Sequence, residues 1–168
     1  MKRIMIIGNA GAGKTTVARA LAENLNLPLH HLDKILWLPG WKKMDKEDMK
    51  KKIEKITAED EWIIDGNFRS TIKQLSERAD TIIYLNLSTI RCIYRIVKRR
   101  YSGKVRTDVA DGCEEKINME FLKPVVFYKF RTVPEIRKVL ASLTPGKRFI
   151  ELKSRKAVNQ FLKNSFTK

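Results

Sequence analysis

The 168-residue chain is long enough for one folded core, and a hydrophobic fraction of 43% argues against disorder. Its longest apolar run, Thr81 to Leu87, is strand-sized, which excludes a membrane-spanning helix. A net charge of +16 predicts an anionic partner, whether a polyphosphate ligand, a nucleic acid or both, unless the basic surface is idle.

Arg3–Ile7 is the first predicted strand; glycines and Lys14 follow it before a leader's apolar segment develops. Val17, Leu21 and Leu25 recur every four residues and predict a helix. Pro28–Leu32 reads as a second strand. Met49, Ile53 and Ile56 predict a helix that Asp45 caps, before a third strand at Glu61–Ile64 and a fourth at Thr81–Leu87. Ile90, Tyr94, Val97 and Tyr101 mark a helix that Ser88 caps. Ser102 to Cys113 carries glycines and charges and reads as a loop, and Pro124 and Pro134 divide the next apolar stretch into separate helices. A fifth strand at Arg148–Leu152 precedes a helix marked by Val158, Phe161 and Leu162, with Ser154 ahead of it.

The strand runs lack clean alternation, as expected of strands buried on both faces of a parallel sheet, and they alternate with helices. The prediction is an α/β doubly wound domain over residues 1–168. Cys92 and Cys113 have neither paired nor metal-type spacing and read as reduced thiols, which predicts a cytoplasmic protein.

Gly8-Asn9-Ala10-Gly11-Ala12-Gly13-Lys14-Thr15 satisfies G-x-x-x-x-G-K-[ST] in full, between a predicted strand and a predicted helix. Glycines let successive N–H groups turn inward to make an anion nest at a helix start. Lys14 then reaches outer phosphates, Thr15 offers a hydroxyl to magnesium, and Thr16 extends the same turn. The expected cofactors are ATP and Mg2+.

Such a site needs an acid at the end of a neighbouring strand to hold the metal or its water. Asp65 follows Trp62-Ile63-Ile64 and Asp33 follows Leu29-His30-His31-Leu32; either aspartate alone could equally cap a turn. Arg91, Arg95 and Arg99, at i, i+4 and i+8, share a helical face where like charges repel until an anion binds.

Asp65-Gly66-Asn67-Phe68-Arg69-Ser70 resembles the D-G-F-P-R-T segment of adenylate kinases, and Arg95-Ile96-Val97-Lys98-Arg99-Arg100 is similar to the R-I-V-G-R-R run that opens their lid. The resemblance implies a P-loop NTPase three-layer fold with a five-stranded parallel sheet, helices on both faces and a short lid at about 102–113. It also implies that Asp65 organises magnesium, Arg69 grips an acceptor phosphate, and Arg95 and Arg99 hold the transferring phosphates. Arg106 is the expected phosphate contact of the lid. Asn67 and Phe68 replace the family's Phe and Pro, so AMP specificity is not carried over.

Across nearly the whole chain, His31-Leu32-Asp33-Lys34, Pro39-Gly40-Trp41, the Trp62-to-Asn67 segment and Ala110-Asp111-Gly112-Cys113 resemble small bacterial DNA topology modulation (FlaR-related) proteins. That family belongs to the nucleotide-kinase group, and the resemblance implies an effect on DNA topology.

Asp33 hints at a hydroxyl acceptor, whose proton it would take, or at a positioning role; Arg69 hints at a phosphate. Trp37 and Trp41 either stack on an acceptor base or pack a flap onto the core. His30 and His31 read as strand residues without a zinc ligand set. The leading expectation is ATP-dependent phosphoryl transfer to a nucleotide or related small molecule. The alternatives are a nucleotide-switched nucleic-acid-binding protein that contacts DNA directly, and a bare ATPase.

Overall fold

The computed structural model describes residues 1–66, 69–102, 108–113, 118–143 and 145–166, without the side chains of Arg69 and Phe166. In chain order the elements are β1 (Arg3–Gly8), α1 (Lys14–Leu25), β2 (Leu29–His31), α2 (Leu32–Leu36), β3 (Trp37–Leu38), β4 (Lys42–Lys43), α3 (Lys46–Thr57) and β5 (Trp62–Asp65). There follow α4 (Ile72–Arg78), β6 (Thr81–Leu85), α5 (Thr89–Tyr101), α6 (Met119–Val126), α7 (Tyr128–Arg131), α8 (Val133–Ala141), β7 (Arg148–Leu152) and α9 (Arg155–Phe166). Single 3-10 turns lie at Pro39–Trp41 and Arg69–Thr71.

The five predicted strands form one sheet in the order β2-β5-β1-β6-β7, every pairing parallel. Alternate residues of its central strands serve opposite cores. Met5, Ile7, Trp62, Ile64, Ile82 and Tyr84 pack with α3, α4 and α8 on one side. Ile4, Ile6, Ile63, Ile83 and Leu85 pack with α1 and α9 on the other. Burial on both faces is why β5, β1 and β6 read as unbroken apolar runs, whereas β2 and β7, expected to be buried as well, lie at the sheet edges and are only partly covered. It also leaves the carboxyl ends of β1 and β5 side by side, the edge where open α/β sheets bind ligands.

Helix boundaries follow local chemistry. Asp45 caps α3 by accepting from the Glu47 amide at 2.8 Å, and Ser154 accepts from the Ala157 amide at 3.1 Å at the start of α9. The apolar stretch breaks at Phe127 and again at Thr132, with Pro124 near the end of α6 and Pro134 in the first turn of α8. A proline ring removes an amide donor and crowds the preceding turn, so it suits a helix start and weakens a helix end.

Helix α5 departs from expectation. Ser88 occupies its N-cap position without a side-chain capping bond. Three of the four stripe residues also face outward: Ile90 is 79% exposed, Tyr94 64% and Tyr101 85%, while Val97 is half-buried and the buried residues are Cys92 and Ile96. The small Cys92 lets α5 lie directly on the glycine loop, which a tyrosine face would prevent.

Among the described residues, no helix is long and apolar enough to cross a membrane.

Candidate functional site

Gly8 closes β1 and Lys14 opens α1, so the glycine-rich segment is the strand-to-helix turn. A bond from the Ala12 amide to Asn9 O at 3.1 Å tightens it. Gly11 sits at φ +76°, and a Cβ there would lie 2.4 Å from the carbonyl oxygen of Cys92. Only glycine satisfies both the left-handed backbone and that approach. Asn9 is buried; its side chain donates to Val125 O at 2.9 Å and accepts from the Ala10 amide at 2.9 Å, fastening the loop to α6. Lys14 Nζ donates to Asn9 O at 3.2 Å, so the ammonium spans its own loop. Residues from Asn9 to Thr16 line an open cleft of about 1320 Å³.

Beside the loop, parallel register sets Asp65 against Ile6 of β1 and against His31 of β2. Thr15 Oγ1 donates to Asp65 Oδ2 at 2.9 Å, and Asp65 is only 4% exposed. Its other oxygen, Oδ1, is in close contact with His31 Nδ1. His31 is therefore a site residue as well as a strand residue, a role visible only once β2 and β5 are known to be neighbours. Asp108 also reaches the loop, its Oδ2 standing 2.9 Å from Thr15 Oγ1. No motif marks it. Among the described residues no cluster of three or more His, Cys, Asp or Glu is arranged to hold a metal ion. A cation at this place would rely on few carboxylates, the Thr15 hydroxyl and the oxygens of its ligand.

Across the cleft, Arg91, Arg95 and Arg99 of α5 line the wall, as their helical spacing predicts, and Lys98 joins them. Arg95 Nη1 donates to Ala12 O at 3.1 Å, which ties the arginine face to the loop. Cys92, on the buried side of α5, has its thiol pKa raised by burial against the opposing pull of Lys14 and Arg95. That keeps it a thiol and makes it packing material.

Asp33, expected to meet the acceptor, does not close a strand: β2 ends at His31, and Asp33 lies in the first turn of α2. The short β2 pairs with β5 only as far as Asp65, so the chain turns helical as soon as the ladder ends. Asp33 still lines the cleft, as do Trp37 and Trp41. The two indoles pack edge to face, 5.4 Å apart at 77°, so part of each ring is already used in holding the other. Their flap, the antiparallel pair β3–β4, docks on the segment after α5: the Gly40 amide donates to Gly112 O at 3.0 Å, and Cys113 Sγ to Leu38 O at 3.3 Å. Arg69 opens a 3-10 turn; its side chain, together with Arg106 and residues 103–107 of the predicted lid, lies outside the described residues.

The fold is shared with solved kinases. Shikimate kinase from Acinetobacter baumannii, in complex with shikimate, superposes with a TM-score of 0.59 at 17% identity, covering 98% of this chain and 90% of that one. Shikimate kinase from Bacteroides thetaiotaomicron gives a TM-score of 0.59 at 16% identity over 97% and 95%. A gluconokinase from Sinorhizobium meliloti 1021 gives 0.52 at 16% identity over 98% and 89%. At these identities the likeness is one of fold. No curated protein matches the chain, and the resemblance to DNA topology modulation proteins rests on the sequence segments alone. An AAA domain model matches residues 4–123, from the first strand through the phosphate loop, Asp65 and α5, so the chain belongs to the AAA domain family.

Proposed function

We propose that this protein is an ATP-dependent kinase that transfers a phosphoryl group to a nucleotide or related small molecule. The observation that carries the reading is the convergence in one cleft of the complete phosphate loop, the Thr15–Asp65 pair and the cationic face of α5. The kinases among proteins of this fold support the class.

The residues present fit both cofactors. Backbone amides of the glycine turn and Lys14 suit the phosphates of ATP, and the hard oxygens of Thr15 and Asp65 suit magnesium. Magnesium held by Thr15 and Asp65 would supply neutralisation of the phosphate charge. In this reading Gly8 to Thr16 hold the donor, and Thr15 and Asp65 hold the cation. Arg95, Arg99 and Arg106 spread positive charge over the group in transit. Asp33, Arg69, Trp37 and Trp41 receive the acceptor, with Asp33 either taking a hydroxyl proton or orienting the acceptor. Catalysis of this kind is positioning and charge stabilisation, with little covalent work for the protein. We further assign the protein to the cytoplasm.

The test is a panel of nucleoside monophosphates, nucleosides and small hydroxyl compounds offered with magnesium-ATP. One class should become phosphorylated. If the protein binds ATP yet no member of any class stimulates ADP release, the kinase reading fails.

A second reading, a nucleotide-switched nucleic-acid-binding protein affecting DNA topology, draws on one observation. Exposed Tyr94 and Tyr101 share α5 with Arg91, Arg95, Lys98, Arg99 and Arg100, and that helix carries no acid. Bases stack on such aromatics while the cations track phosphates. DNA affinity that falls steeply but persists at physiological salt would favour it, and its complete loss there would remove it.

A further inference from the structure

Two carboxylates converge on one hydroxyl. Asp65 Oδ2 and Asp108 Oδ2 each stand 2.9 Å from Thr15 Oγ1. A threonine hydroxyl has one proton to give, so it serves one carboxylate, and the other contact sets oxygen lone pairs against each other. His31 already engages the second oxygen of the buried Asp65, so that carboxylate is held in place. Asp108 is half-buried and approaches from the segment that follows α5. Lone pairs from two carboxylates and a hydroxyl, gathered at the end of a phosphate loop, match the donors a hard divalent cation takes.

We infer that Asp108 is a third holding residue of the cation site, delivered from across the cleft; this rests on the proposed roles of Thr15 and Asp65. The segment that carries it is anchored a few residues further on, where Gly112 O accepts from the Gly40 amide at 3.0 Å. The Asp108 carboxylate is thus steadied by the same strap that leans on the tryptophan flap.

The two protonation-independent effects of this carboxylate have opposite signs. With a divalent cation present it adds a ligand charge, and without one it repels the phosphates. Mn2+ is titrated into the full chain saturated with a non-hydrolysable ATP analogue, with free Mn2+ read by electron paramagnetic resonance. Asp108→Asn should weaken Mn2+ binding roughly 10-fold or more. In EDTA the same variant should bind the analogue more tightly than the unaltered protein. Asp108→Ser should reproduce both signs and replaces Asp108→Asn should that variant fold poorly.

Unchanged Mn2+ affinity overturns the inference. So does weaker binding of both Mn2+ and metal-free analogue, which would make Asp108 a strut of the segment. Asp65→Asn is the reference. If it leaves Mn2+ affinity unaltered, the underlying reading of Thr15 and Asp65 fails. If it lowers that affinity while Asp108→Asn does not, only Asp108 is removed from the site.

Discussion

The two sides of the cleft, to which the proposed function assigns donor and acceptor, are built in different ways. Eight consecutive residues, Gly8 to Thr15, make most of the donor half, between the central strand of the sheet and a twelve-residue helix. Buried contacts hold that turn from two sides, through Asn9 to α6 and through Gly11 to α5. The acceptor half of the proposed function draws on scattered pieces: Asp33 in a five-residue helix and Trp37 and Trp41 around a hairpin of two-residue strands, all lining the cleft, with Arg69 on a 3-10 turn and its side chain outside the described residues. Backbone amides bind phosphate generically, so a rigid local motif suffices. Acceptor choice depends on side chains set on short elements, where one scaffold accommodates many substrates.

This contrast is breakable by substitution. Lys14→Ala should lower the phosphoryl-transfer rate about 10²- to 10³-fold with thermal stability little altered, since it removes charge stabilisation and little packing. Normal turnover in that variant would remove the mechanism altogether. Asp33→Asn should leave ATP affinity intact and cut turnover roughly 100-fold with a hydroxyl acceptor, much less with a phosphate acceptor. Equal losses with both acceptors would leave its role as base unsupported, and a loss of ATP affinity would blur the two halves into one.

Two glycines compare the rigidity of the halves directly. Gly11 and Gly40 have nearly the same φ, +76° and +74°, but a Cβ meets Cys92 at 2.4 Å in the first and nothing within 4 Å in the second. Gly11→Ala should cost about 3 kcal/mol in urea unfolding and weaken ATP binding, whereas Gly40→Ala should cost about 1 kcal/mol, the backbone share alone. Equal costs would mean that α5 does not clamp the loop. Trp41→Phe should raise the acceptor KM by roughly 3- to 10-fold with the KM for ATP unmoved, reflecting a smaller ring at the flap.

The smallest effect lies at the opposite edge of the sheet, where Asp80 accepts from the Lys2 and Arg3 amides and from Thr81. Burial disfavours its charge, but those hydrogen bonds outweigh it and hold its pKa below the ordinary carboxylate value. A carboxylate lowered in this way stabilises the fold above its unfolded pKa, and that contribution fades as pH falls through the folded one. Asp80→Asn should therefore flatten the loss of stability below about pH 4 without touching transfer at neutral pH, as read by unfolding midpoints across pH.

Much of the molecule was legible in the residues. Unbroken apolar runs announced five parallel strands, of which β5, β1 and β6 are buried on both faces, Asp45 and Ser154 marked two helix starts, and the glycine loop, Asp65 and the α5 arginines meet in one cleft. The outward turn of Ile90, Tyr94 and Tyr101 was not legible, because periodicity specifies that a helix has faces and leaves open which face meets the core. Asp33 shifted from a strand end to a helix turn because the length of β2 is limited by its ladder with β5.

By itself, the sequence determined the phosphate loop, since a phosphate nest is a property of consecutive backbone groups and needs only the right local residues. Strand order and approach were decided in three dimensions. Lateral hydrogen bonding seats β5 between β1 and β2, which carries His31 to Asp65 and Asp65 to Thr15. The chain beyond α5 then returns to bring Asp108 to the same hydroxyl, 93 residues from its partner in sequence. Contacts of that separation arise from the closing of the whole core, whose free energy no local pattern records.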